Sequence, residues 1–125
     1  MSTLDVMIVE DEAIIALDLK EILKRSGYRI SAIVGSGNAA IKKAKELKPD
    51  LILMDVMLGR GINGIQAAGE IRKSQNIPVI FISSFSDNHA VENAYQVSPY
   101  GYIVKPFDEN ELVKKIKDIH TNRFS

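Results

Sequence analysis

Residues Leu51-Ile52-Leu53-Met54 are apolar without a break and are closed by Asp55. A short strand with no polar position is one buried on both faces, the setting of a parallel sheet covered by helices above and below. Similar runs lie on either side: Leu4 to Val9 (LDVMIV), Tyr28 to Val34 (YRISAIV), Val79 to Ile82 (VIFI) and Tyr100 to Val104 (YGYIV). Between them the apolar residues change to helical spacing. Ile14, Leu17, Leu19, Ile22 and Leu23 predict a first helix stopped by Gly27, and Ala39, Ala40, Ile41, Ala44 and Leu47 a second ended by Pro49. Ile65, Ala68 and Ile71 predict a third. Ala90, Val91, Ala94 and Tyr95 predict a fourth behind Asp87 as N-cap, and Leu112, Val113, Ile116 and Ile119 a last helix capped by Asp108. Five β-α units in a row predict an α/β domain with a parallel sheet wound on both faces.

Composition narrows the function. The chain has 125 residues, 46% hydrophobic and 26% charged, which fits one globular domain with no linker or repeat. Sixteen Lys and Arg balance sixteen Asp and Glu, so there is no electrostatic footprint for nucleic acid. There is no cysteine, which removes disulfides, thiolate metal sites and cysteine nucleophiles together. The first apolar run is short and closed by acids, and no window approaches the ~20 apolar residues of a membrane span. The expectation is a cytoplasmic domain.

In an open parallel sheet, ligands bind beyond the carboxyl ends of the strands. There the sequence places Glu10-Asp11-Glu12, Asp55, Ser83-Ser84 and Lys105-Pro106, one group after each strand but the second. If the sheet brings those four strands together, the carboxylates of Glu10, Asp11 and Asp55 converge and raise one another's pKa unless a cation intervenes. Mg²⁺ suits such a set, since it takes one or two carboxylates and keeps several waters. The group also suits phosphoryl transfer. An ionised aspartate is already a nucleophile, and a lysine and a hydroxyl can hold the phosphoryl oxygens.

These residues resemble the receiver domains of two-component response regulators, and the resemblance spans residues 1–125 as one receiver domain. It rests on Glu10-Asp11 after the first strand, Asp55 after the third, Gly64 downstream, Ser83 after the fourth, and Lys105-Pro106-Phe107 after the fifth. The resemblance implies a (βα)5 fold of flavodoxin-like strand order 2-1-3-4-5, with Asp55 as phosphoacceptor. It implies Mg²⁺ held by Asp11 directly, Glu10 through water, Asp55, and the main-chain carbonyl of Met57. Lys105 would pair with the phosphoryl group, Ser83 would swing toward it, and Tyr102 would be the aromatic switch. A histidine kinase or histidine phosphotransfer protein would donate the phosphoryl group, and a downstream protein target would read the change. The receiver would have no DNA or membrane contact of its own, and a phosphorylation-dependent homodimer through the last two units is compatible with it. The chain departs from the receiver pattern in its Glu10, in Ser84, and in the loop after Asp55. That loop, Val56 to Gly64, is glycine-rich, one residue longer than usual and without the usual proline.

Plainer readings stand beside these. Aspartate is common at strand-end turns, first-turn acids suit the helix dipole, and Glu12 is assigned to that role. Tyr102 fits a half-buried core tyrosine as well as a switch. His89 and His120 read as surface residues, and Lys42, Lys43, Lys45 and Lys48 as a solvated helix face. The rival functions are a pseudo-receiver that only docks partners, a receiver heading a larger hybrid kinase or regulator, an aspartyl-nucleophile phosphatase, and a flavodoxin-like cofactor binder. Such phosphatases usually carry a second aspartate two residues after the nucleophile, and Met57 stands there. A cofactor binder would cradle phosphate after its first strand, where Glu10-Asp11-Glu12 would repel it. Met57 and Phe85 would also hinder an attacking water, so slow autodephosphorylation is expected.

Overall fold

The computed structural model describes residues 3–84 and 101–124, with 122–124 as backbone alone. The elements run β1 (Asp5–Val9), α1 (Ala13–Arg25), β2 (Arg29–Val34), α2 (Gly37–Leu47), β3 (Leu51–Asp55), α3 (Gly64–Ser74), β4 (Val79–Ser84), β5 (Gly101–Lys105) and α4 (Glu109–Phe124). All pairings are parallel and the order is β2-β1-β3-β4-β5, as expected. The helix expected over residues 90–95, with Asp87, lies outside the described residues, as do Phe85, His89 and Tyr100.

The central strand β3 is buried at all five positions, and its residues divide between two cores. Met7, Val9, Ile52, Met54, Val79 and Phe81 face one side, where they meet Ala40 and Ala44 of α2 and Ile65, Ala68 and Ile71 of α3. Val6, Ile8, Leu51, Leu53, Ile80, Ile82 and Ile103 face the other, against Leu19, Ile22 and Leu23 of α1 and Leu112, Ile116 and Ile119 of α4. This is the period-two alternation of a strand expressed as two separate apolar layers.

Three expectations need correction. Ile14 and Leu17 have the spacing expected of the first helix's apolar set, yet they are 85% and 55% exposed. Ala16, Leu19, Ile22 and Leu23 form the buried stripe, and a rotation of about 100° per residue puts 14 and 17 roughly opposite it. Helix α2 ends at Lys48, whose left-handed backbone (φ 48°, ψ 62°) returns its N–H to the Ala44 carbonyl before Pro49 is reached. His120 is in edge-on ring contact with Tyr28 (centroids 6.4 Å apart) and is not a purely solvated residue.

Helix α3 begins hard against the end of β3. Asn63 Oδ1 accepts from the Gln66 amide (2.8 Å) while Gln66 Oε1 accepts from the Asn63 amide (2.9 Å), a reciprocal cap that fixes the first turn. The Gly64 amide then donates to the Val56 carbonyl at 2.9 Å. A Cβ at Gly64 would overlap the Asp55 carbonyl oxygen and come within 2.9 Å of Met54 Cγ, so only glycine lets the helix approach this closely. Gly64→Ala should therefore cost about 2 kcal/mol or more in urea unfolding, because backbone atoms of the neighbouring strand must move.

Candidate functional site

Register decides which strand-end groups meet. Val9 pairs with Met54, Asp55 with Ile82, Ser83 with Val104 and Ser84 with Lys105. The next residue along each of these strands therefore reaches the same edge of the sheet. Among the described residues, the buried polar side chains are Glu10 (3% exposed), Asp55 (5%) and Ser83 (0%). All three belong to the set expected from sequence.

Each polar group has a geometric reason for its position. Glu10, Asp11 and Asp55 bring one carboxylate oxygen apiece within 4.8 Å of the others. Lys105 Nζ donates to Glu10 Oε1 at 3.1 Å and stands 3.9 Å from Asp55 Oδ1. Its strand ends in a cis Lys105–Pro106 peptide. A backbone amide also donates to each of the three carboxylates. The Glu12 amide donates to Glu10 Oε2 (3.1 Å), the Met57 amide to Asp55 Oδ1 (3.2 Å), and the Gly59 amide to Asp11 Oδ2 (3.0 Å). On the fourth and fifth strands, Ser83 Oγ and the Tyr102 hydroxyl are 2.6 Å apart, and Tyr102 also packs against the α2–α3 core.

Burial pushes the Asp55 carboxyl up to about 7. The Glu10 charge and a hydrogen bond to Glu10 add to the rise, while the Lys105 ammonium and the Met57 amide oppose it. Three carboxyl groups thus share one paired ammonium in a largely desolvated edge. The donor set is all oxygen, compact and short of positive charge, so these residues fit a hard divalent cation and could hold a metal ion.

Glu10, Asp11, Asp55 and Lys105 come together, while Ser83, at the same edge of the sheet, is bonded to Tyr102. The Met57 side chain is exposed beside it, and its amide engages Asp55. Sequence reasoning missed the amide donors. The signal available for Gly59 was the proline-free, glycine-rich loop, in which a small residue with a free N–H can approach a carboxylate.

With this geometry in hand, comparisons with known proteins agree with one another. The family model described as the response regulator receiver domain matches residues 6–117. The transcriptional regulatory protein PdtaR of Mycobacterium tuberculosis is 40% identical over 119 residues, which is 95% of this chain. The chain spans only 57% of PdtaR. The chemotaxis protein CheY of Thermotoga maritima is 34% identical over 115 residues, 91% of this chain and 95% of that protein. The crystal structure of the signal receiver domain of a modulated diguanylate cyclase from Desulfovibrio desulfuricans superposes with a TM-score of 0.90 at 32% identity, covering 98% of both chains.

The raised Asp55 carboxyl has a consequence for stability without metal. Between the ordinary value of 3.8 and about 7 the folded state binds a proton that the unfolded state has released. This group's contribution to stability therefore falls as pH rises through that window. Asp55→Asn removes the dependence. Metal-free thermal melts from pH 4 to pH 8 should show the variant gaining on the parent with rising pH, by a few kcal/mol or on the order of 10 °C at pH 8. Parallel curves across that range would contradict the assignment.

Proposed function

The chain belongs to the response regulator receiver family and so serves in signalling, and from that premise we propose that it is a phosphorylation-driven switch with Asp55 as acceptor. The single observation that carries the reading is the pairing of two buried carboxylates, Glu10 and Asp55, with the Lys105 ammonium at the carboxyl edge of the sheet. Such a group costs stability, and a functional role accounts for its presence.

A carboxylate oxygen of Asp55 attacks phosphorus, the oxygen–phosphorus bond forms, and the bond from phosphorus to the donor breaks with its electron pair leaving on the donor. No general base is needed, since an ionised Asp55 carries no proton to remove. Lys105, now shared between Glu10 and Asp55, stands where it can pair with the incoming phosphoryl oxygens. Glu10, Asp11, Asp55 and the Met57 carbonyl would hold Mg²⁺. When bound, Mg²⁺ supplies charge neutralisation between two negative reactants and favours the ionised form of Asp55.

Ser83 and Tyr102 provide the response. The Ser83 hydroxyl has Tyr102 as its near partner at 2.6 Å, and a phosphoryl group on Asp55 offers it a stronger, charged acceptor. Ser83 leaves the tyrosine for that acceptor, and the Tyr102 ring, resting partly buried on the α2–α3 core, changes its position on the surface of β5. The readers are proteins. A histidine kinase or a histidine phosphotransfer protein supplies the phosphoryl group, and a downstream protein target takes the altered face, with a phosphorylation-dependent homodimer as one form of output. A net charge of zero supports the absence of DNA binding by this region. Among the described residues no helix is long and apolar enough to cross a membrane, in keeping with a cytoplasmic assignment.

A second reading has its own support. PdtaR extends well beyond the matched region, which favours residues 1–125 as a receiver working within a larger regulator as readily as alone. Asp55 chemistry is the same in either setting.

Incubation with Mg²⁺ and acetyl phosphate, followed by intact mass, tests the proposal. One phosphoryl adduct is expected, lost in Asp55→Asn and blocked by chelator; no adduct in the parent would leave a pseudo-receiver. The Met57 side chain, exposed two residues beyond Asp55, would flank the phosphoryl group and hinder an attacking water. Met57→Asn should shorten the adduct lifetime severalfold in a mass time course, and an unchanged lifetime would sink the idea.

A further inference from the structure

The loop from Val56 to Asn63 joins the end of β3 to α3, and it touches the acidic group through two main-chain amides. One, at Met57, stays beside its own strand on Asp55. The other, at Gly59, crosses to the end of β1 and donates to Asp11 Oδ2 at 3.0 Å, a contact between residues 48 apart in sequence. Among the described residues this is the hydrogen bond that fixes the Asp11 carboxylate, whose side chain is otherwise exposed. A Cβ at Gly59 would lie 2.8 Å from the same oxygen, and within 4 Å it would meet Asp11 alone.

We propose that Gly59 is a positioning residue for the metal site, its N–H orienting the Asp11 carboxylate toward the cation and its missing side chain leaving that carboxylate room. The inference rests on the reading of Glu10, Asp11 and Asp55 as Mg²⁺ ligands. An ionised carboxylate has lone pairs to spare. With Oδ2 on the amide, Oδ1 keeps its lone pairs for a cation. An exposed aspartate without that tether must give up rotamer freedom when the cation arrives. Partners one shell out from a metal commonly set its affinity in this way. A proline at this position would have no hydrogen to donate, and any larger residue would push the carboxylate off the amide.

Gly59→Ala is the discriminating variant. The atom in its way is the tip of an exposed side chain, so the fold can yield locally by turning Asp11 aside. Mg²⁺ affinity by isothermal titration should weaken about tenfold, with the metal-free melting temperature near that of the parent. Gly61→Ala, in the same loop, provides the contrast. Gly61 has φ +71° and faces Asn38, so alanine there should cost stability while leaving Mg²⁺ affinity within about twofold.

Amide hydrogen exchange gives a second readout that needs no change at Gly59. The Gly59 amide should be protected in the metal-free parent and lose that protection in Asp11→Ala. A parent that binds no Mg²⁺ overturns the metal reading and this inference with it. A parent that binds Mg²⁺, with Gly59→Ala binding equally well or more tightly, overturns this inference alone. So does a Gly59 amide that exchanges at the same rate with and without the Asp11 carboxylate.

Discussion

The organising constraint of this molecule is an imbalance of buried charge. Glu10 and Asp55 lie side by side out of water, Asp11 closes the group at the rim, and Lys105 is the ammonium that answers them. A group of like charges in a poorly solvated place is unstable unless protonated, paired or metal-bound. The sheet makes the arrangement tolerable, since Glu10 and Asp11 follow β1 while β3 and β5 end in Asp55 and Lys105, all delivered from rigid strand ends. The amides of Glu12, Met57 and Gly59 supply further donors to the carboxylates.

The rest of the fold serves to hold that edge in place. The Val9–Met54 pairing puts Glu10 beside Asp55, and a one-residue slip would turn one of them to the opposite face. The slip is resisted by the apolar layers, because it would also turn either Met7 and Val9 or Ile52 and Met54 away from α2 and α3. Gly64 lets α3 press against the carbonyl of Asp55, so the helix buttresses the strand end where the reactive side chain emerges.

The fold was legible because a parallel sheet covered on both faces leaves uninterrupted apolar runs such as Leu51 to Met54, and because the strand-to-helix alternation admits few topologies. The site residues were legible as chemistry-bearing groups standing one after each strand. What could not be read was set by three-dimensional proximity between separate elements. Ile14 and Leu17 have the spacing of a core stripe but occupy the wrong side of α1, a matter of phase between two overlapping apolar sets. The left-handed turn at Lys48 follows from how α2 must hand over to β3, and lysine gives no local warning of it. The bond from Gly59 to Asp11 spans two strand ends, and the direct Ser83–Tyr102 contact depends on the β4–β5 register.

The division of the interior by the sheet has a further consequence. Neighbouring residues of β3, such as Leu53 and Met54, belong to different apolar layers with different helical partners. Side chains of α1 and α3 pack on opposite sides of the sheet and share no partners, so substitutions there perturb stability almost independently. Repacking between α1 and α4 can therefore proceed without compensation between α2 and α3. The protein carries two separately adjustable interiors behind one reactive edge, so sequence drift in either can be absorbed while the geometry at the strand ends stays fixed.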